Sequence, residues 1–184
     1  MLLGVMLLYV GAVLAVNGIW LIGQSRGETS PLYIQNREVT VLNIFTGFVG
    51  LVTATTLLVQ GNGKADIASI RGGGFILLFA FTYLWVAFNN FLDAGGRAFG
   101  WYCLFVAITA IPAGILTLSD AHGNNASIYL GIDWLFWAVL WFSFFLLLAL
   151  DRPIARFAGS LAIAEGIGTA WVFGFLLLEG KIAF

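Results

Sequence analysis

Residues 131–150 read GIDWLFWAVLWFSFFLLLAL. After Asp133 the run holds no ionisable group, and its length matches the roughly 20 residues that an α-helix needs to cross the hydrocarbon core of a bilayer. In water such a helix would expose aromatic and aliphatic side chains on every face; in lipid those faces are the proper outer surface. Working outward, runs of the same kind recur at 2–23, 39–60, 74–92, 99–118 and 158–178, and the only other charge inside any of them is Glu165. Six spans therefore consume nearly all of the 184 residues, in keeping with a composition 61% hydrophobic and only 9% charged. The mean hydropathy of +0.99 requires a bilayer as solvent.

The fold class predicted is an all-α, six-helix transmembrane bundle forming one domain, with no soluble module. Transmembrane strands would alternate apolar and polar residues over about ten positions, whereas these runs are apolar on all sides. The first run begins without a basic segment and continues past Asn17 and Trp20, beyond a signal-peptide core, so it reads as a retained helix. Cys103 is the single cysteine and the net charge is −1, which leaves no intrachain disulfide, no thiol pair and no nucleic-acid footprint.

Six spans put both termini on one side. Arg26, Arg37, Arg97, Arg152 and Arg156 fall in or beside the loops after spans one, three and five, while Lys64, Arg71 and Lys181 fall on the other side. The bias predicts external termini and cytoplasmic odd-numbered loops. The longest loop, 24–38, carries Gly27, Ser30 and Pro31 and reads as a solvated turn.

Spans four and six share Thr109-Ala110 with Gly114 and Leu116 against Thr169-Ala170 with Gly174 and Leu176, and spans one and three end in Asn17 and Asn89-Asn90. Three repeated helical hairpins would leave this pattern, and chance similarity between apolar segments explains it equally well. Gly47 with Gly50, and Ala107, Ala110 and Gly114, are spaced for close helix packing in lipid. Pro112 removes one backbone donor inside the fourth span and predicts a kink.

Polar groups within spans are the first place to seek function. Glu165 lies inside the sixth span among small residues, AIAEGIGT at 162–169; a functional carboxyl and a packing carboxyl are equally good readings. Trp134, Trp137 and Trp141 stand at i, i+3 and i+7 on one face of the fifth helix. Such a stripe suits a narrow apolar lumen with indole N–H groups for a small neutral solute, and core packing explains it nearly as often. Leu7, Val10, Leu14 and Asn17 share a face of the first helix, and Phe79, Tyr83 and Val86 a face of the third. Rings of charge, metal-ligand clusters and nucleophile–base pairs are missing from the sequence, which argues against an ion pore, a metal site, a cofactor and an intramembrane enzyme.

Several strings resemble the urea and short-chain amide channels, the family that includes acid-gated urea channels. They are Leu7-Leu8-Tyr9-Val10-Gly11 with Asn17-Gly18-Ile19, Phe81-Thr82-Tyr83-Leu84, and Trp101 through Ile108 with Pro112-Ala113. Trp137-Ala138-Val139-Leu140-Trp141 and Glu165 through Trp171 complete the set.

The resemblance implies a homohexameric ring in the bacterial inner membrane with lipid at its centre, each six-helix protomer conducting urea or small amides through its own pore. It makes Trp137, Trp141, Tyr83 and Phe79 constriction residues, with Leu7, Val10, Leu14, Asn17, Trp134 and Glu165 in or near the lumen. It also implies a functional link to a cytoplasmic urease or amidase. Acid-gated members resemble one another in long, histidine-rich external loops; here those loops are short and His122 is the only histidine. The expectation is therefore a channel without acid gating. Two rivals remain, a proton-coupled transporter using Glu165 and a membrane scaffold for the enzyme.

Overall fold

The computed structural model describes residues 2–184. Its helices are α1 (Leu2–Arg26), α2 (Asn36–Lys64), α3 (Ile67–Leu92), α4 (Arg97–Ser119) and α5 (Asn125–Leu148), followed by α6 (Ala155–Glu165), a π-helical stretch (Gly166–Trp171) and α7 (Val172–Leu178). The last three run on as one span, giving six helices long and apolar enough to cross a membrane, and the described residues contain no strand.

Polar caps set the helix ends. Gln35 and Glu38 form a reciprocal capping box at the start of α2. Asp66 accepts from the Ala68 and Ser69 amides at 3.0 and 3.3 Å and from the Ser69 hydroxyl at 2.6 Å. Those Ser69 bonds hold its carboxyl below the ordinary aspartate range. Because Asp66 starts the helix, α3 begins at Ile67 and takes in Arg71, ahead of the charge-free run. The Asn124 side chain accepts from the Ser127 amide at 2.9 Å and starts α5 eight residues before Asp133. The fifth-span carboxylate is thus carried inward from the helix end. Pro112 sits inside α4, which continues through it to Ser119.

The closest antiparallel pairs are α2–α3, α4–α5 and α1 with the sixth span. The third pair joins the two ends of the chain, and small residues make it possible. A Cβ added to Gly11 would lie 2.8 Å from the Trp171 amide nitrogen and 2.9 Å from the Gly166 carbonyl oxygen. Gly18 and Gly159 approach each other in the same way, so any side chain at these positions would push the two helices apart.

Outside, the bundle presents Phe45, Phe48, Phe88, Phe105, Ile108, Phe136, Phe142 and Phe175, an apolar surface suited to acyl chains. Inside, some polar groups are paired across helices. Asn17 on α1 and Asn43 on α2 exchange two side-chain hydrogen bonds of 3.0 and 2.8 Å, and Asn43 also donates to the Val39 carbonyl at 2.8 Å. Tyr102 on α4 donates to the Leu78 carbonyl of α3 at 3.2 Å. Lipid offers these groups no alternative partner, so the pairings fix which helices meet.

Candidate functional site: a two-chamber lumen

Three helix faces converge on the interior. From α5 come Trp134, Trp137 and Trp141, which are 5, 5 and 3% exposed. From α3 comes Phe79, whose ring packs against all three indoles at centroid distances of 5.2, 5.1 and 5.9 Å. Tyr83 follows one turn later at 2% exposure. From α1 come Leu7, Val10 and Leu14, all buried. Interlocked aromatic rings have few rotamers open to them, so they make a wall of fixed shape.

These faces enclose two cavities. The larger, about 570 Å³, is lined by Leu7, Val10, Leu14, Phe79, Trp134 and Trp137 among others and reaches Ser69, Arg71, Asp120 and Ser127 at the terminal side. Arg71 and Asp120 stand 3.9 Å apart at its mouth. The smaller, about 200 Å³, lies toward the α3–α4 turn and is lined by Asn17, Trp20, Val86, Asn89, Asn90 and Phe99 among others. Leu14, Tyr83 and Trp141 line both cavities. They form a septum between the two chambers.

The septum carries the chemistry. The Tyr83 hydroxyl and the Trp141 indole nitrogen are both buried without a hydrogen-bond partner. A buried donor left unpaired costs about 1–3 kcal/mol, which makes both groups candidates for contact with a bound molecule. Trp137 differs: its indole N–H donates to Thr169 Oγ1 at 2.8 Å, and the Thr169 hydroxyl donates to the Glu165 carbonyl at 2.6 Å. Its ring lines the larger chamber while its donor is already engaged.

Glu165 does not line either chamber. With Asp133, Tyr129, Gly168 and Thr169 it borders a separate groove of about 640 Å³ between α5 and the sixth span. Both of its carboxyl oxygens, and Asp133 Oδ2, lack partners there. The π-helical stretch begins at the next residue, Gly166, and each of its turns holds more residues than an α-turn, so side chains after it are rotated relative to those of α6. α5 braces that stretch, with Tyr129 donating to the Gly168 carbonyl at 2.6 Å in addition to the Trp137–Thr169 bond. Among the described residues no three His, Cys, Asp or Glu side chains are grouped to hold a metal ion.

The sequence reading misses Asn43, Asn90 and Thr169 as interior polar groups. Asn43 and Thr169 carry usable signals, each a polar residue inside an apolar span, and Asn90 enters it only as part of a repeat.

Known proteins resemble this chain along nearly its whole length. A protein of Mycolicibacterium smegmatis described as transporting amidate substrates is 42% identical over 179 residues, covering 97% of this chain and 77% of that one. The acid-activated urea channel of Helicobacter pylori is 36% identical over 197 residues, covering 95 and 96% of the two chains. The crystal structure of the H. pylori urea channel matches with a TM-score of 0.84 at 34% identity over 98% of this chain and 99% of that one. Its closed-state cryoEM structure gives 0.82. Residues 2–181 match the family model AmiS/UreI family transporter, and the chain belongs to that family of multi-pass urea and amide channels and transporters rather than to the enzymes.

Proposed function

We propose that the chain is a passive channel for small neutral amides, urea and acetamide among them, with one aromatic-lined pore per protomer. The observation that carries this reading is the septum, where Tyr83 and Trp141 hold unpartnered polar groups in an otherwise apolar constriction. The indole N–H can donate to a carbonyl oxygen, and the phenolic oxygen can accept from an amide N–H. A planar neutral amide carries the complementary acceptor and donor. An ion would lose its hydration shell and gain no charged group in return.

The relatives' names, an amidate transporter and a urea channel, support the same solute class. So does the place of Glu165 outside both chambers, which removes the lumen carboxyl on which proton coupling would depend. The protomers assemble as a homohexamer in the inner membrane, consistent with the structural likeness to the urea channel. The termini are external, supported by the arginine-rich loops on the opposite side, and the permeant is used by a cytoplasmic urease or amidase. With His122 as the only histidine, flux stays constant between about pH 5 and 8, where unperturbed histidine titrates.

The test is stopped-flow light scattering on proteoliposomes under urea or acetamide gradients, with and without a pH gradient. The reading predicts downhill flux well above protein-free vesicles at pH 5 and pH 8 alike. Accumulation against the amide gradient, driven by protons, would overturn it in favour of a coupled carrier.

A further inference from the structure

The smaller chamber has a chemistry of its own. Phe79, Tyr83, Val86 and Asn90 follow one another along one face of α3, so the face that supplies the septum tyrosine ends in a carboxamide. Asn90 Nδ2 is buried without a hydrogen-bond partner. The chamber's other polar side chains are largely committed: Trp20 donates to Asn36 Oδ1 at 3.1 Å, Thr82 to the Phe79 carbonyl at 2.6 Å, and Asn89 to the Gly95 carbonyl at 3.4 Å. Asn17 is held by Asn43.

That last pair shows what an unpaired carboxamide here can bind. Asn17 and Asn43 join edge to edge, each donating an N–H to the other's carbonyl, at 3.0 and 2.8 Å. Asn90 carries the same planar group, lines the same chamber and leaves its amino group unused. A cavity of about 200 Å³ is several times the roughly 30 Å³ that one water occupies, enough for a solute the size of acetamide.

We infer that the smaller chamber is a second binding site for primary carboxamides and urea, in which the permeant pairs edge to edge with Asn90 after crossing the septum. The site rests on the channel reading and deepens it. Two weak sites in series let a neutral solute desolvate in stages, and the second selects for a planar edge that has a donor beside an acceptor. Alcohols of similar size lack that edge.

The experiment compares acetamide and ethylene glycol permeabilities of wild type, Asn90→Ala and Asn90→Asp in proteoliposomes, with assembly checked by size-exclusion chromatography. Asn90→Asp keeps the side-chain shape and loses the N–H₂ donor, which guards against a packing effect of Asn90→Ala. Loss of the paired bonds should lower the acetamide-to-glycol permeability ratio about three- to tenfold in both variants. An unchanged ratio in assembled variants overturns the site and leaves the channel standing. Wild-type acetamide flux no faster than through protein-free vesicles overturns the channel itself.

Discussion

Tyr83→Phe removes one oxygen atom at the septum and should move stability and transport in opposite directions. The hydroxyl sits on a residue 2% exposed and has no partner within the protein. If its function is to meet the permeant, the resting protein carries an unpaired polar group, whose cost of about 1–3 kcal/mol the phenylalanine ring does not incur. The variant should then be at least as stable as wild type, with a thermal midpoint raised by up to about 4 °C for each kcal/mol recovered in a chain of this length. Transport loses a hydrogen bond of about 0.5–1.5 kcal/mol. At about 1.4 kcal/mol per tenfold, acetamide permeability should fall about two- to twelvefold. The assays are thermal unfolding in detergent by intrinsic fluorescence and stopped-flow amide permeability, with osmotic water permeability as a control for pore width. A lower midpoint together with unchanged amide flux would refute the reasoning, because it would make the hydroxyl a packing element.

Much of this is written in the one-dimensional pattern. Span lengths follow from runs of apolar residues because lipid punishes an exposed backbone or charge wherever it occurs. The stripe of Trp134, Trp137 and Trp141 follows from helical periodicity, as do the faces of α1 and α3 that meet it. What stays hidden depends on which helices touch. Gly4, Gly11 and Gly18 recur every seventh residue along α1, yet their role appears only against Gly159, Gly166 and Gly174 of the sixth span. The engagement of the Trp137 N–H by Thr169 joins residues 32 apart in sequence. The family resemblance is what implies Glu165 in or near the lumen, and the π-helical stretch at Gly166–Trp171 breaks the regular α-helical period just after it.

Two further substitutions probe the surroundings of the lumen. Thr169→Val keeps the shape but removes the acceptor for the Trp137 indole, and leaving that N–H unpaired should destabilise the protein by about 1–3 kcal/mol in thermal or denaturant unfolding; equal stability would mean the bond contributes nothing to holding the tryptophan. Glu165→Gln should leave urea and acetamide permeability within about twofold, since the carboxyl lines neither chamber. A loss of transport in a correctly assembled Glu165→Gln protein would favour proton coupling through the α5–α6 groove.

On the channel reading, solutes pass between Leu14, Tyr83 and Trp141. A cysteine at the septum tests it directly. Leu14→Cys places a thiol where both chambers meet, while the native Cys103 is fully buried away from the lumen lining. Methyl methanethiosulfonate, small and neutral, should modify this variant, abolish its acetamide flux and leave wild type untouched, with flux restored by dithiothreitol. Full acetamide flux through a Leu14→Cys protein whose introduced thiol is shown by mass spectrometry to be quantitatively modified would place the route elsewhere and contradict the account.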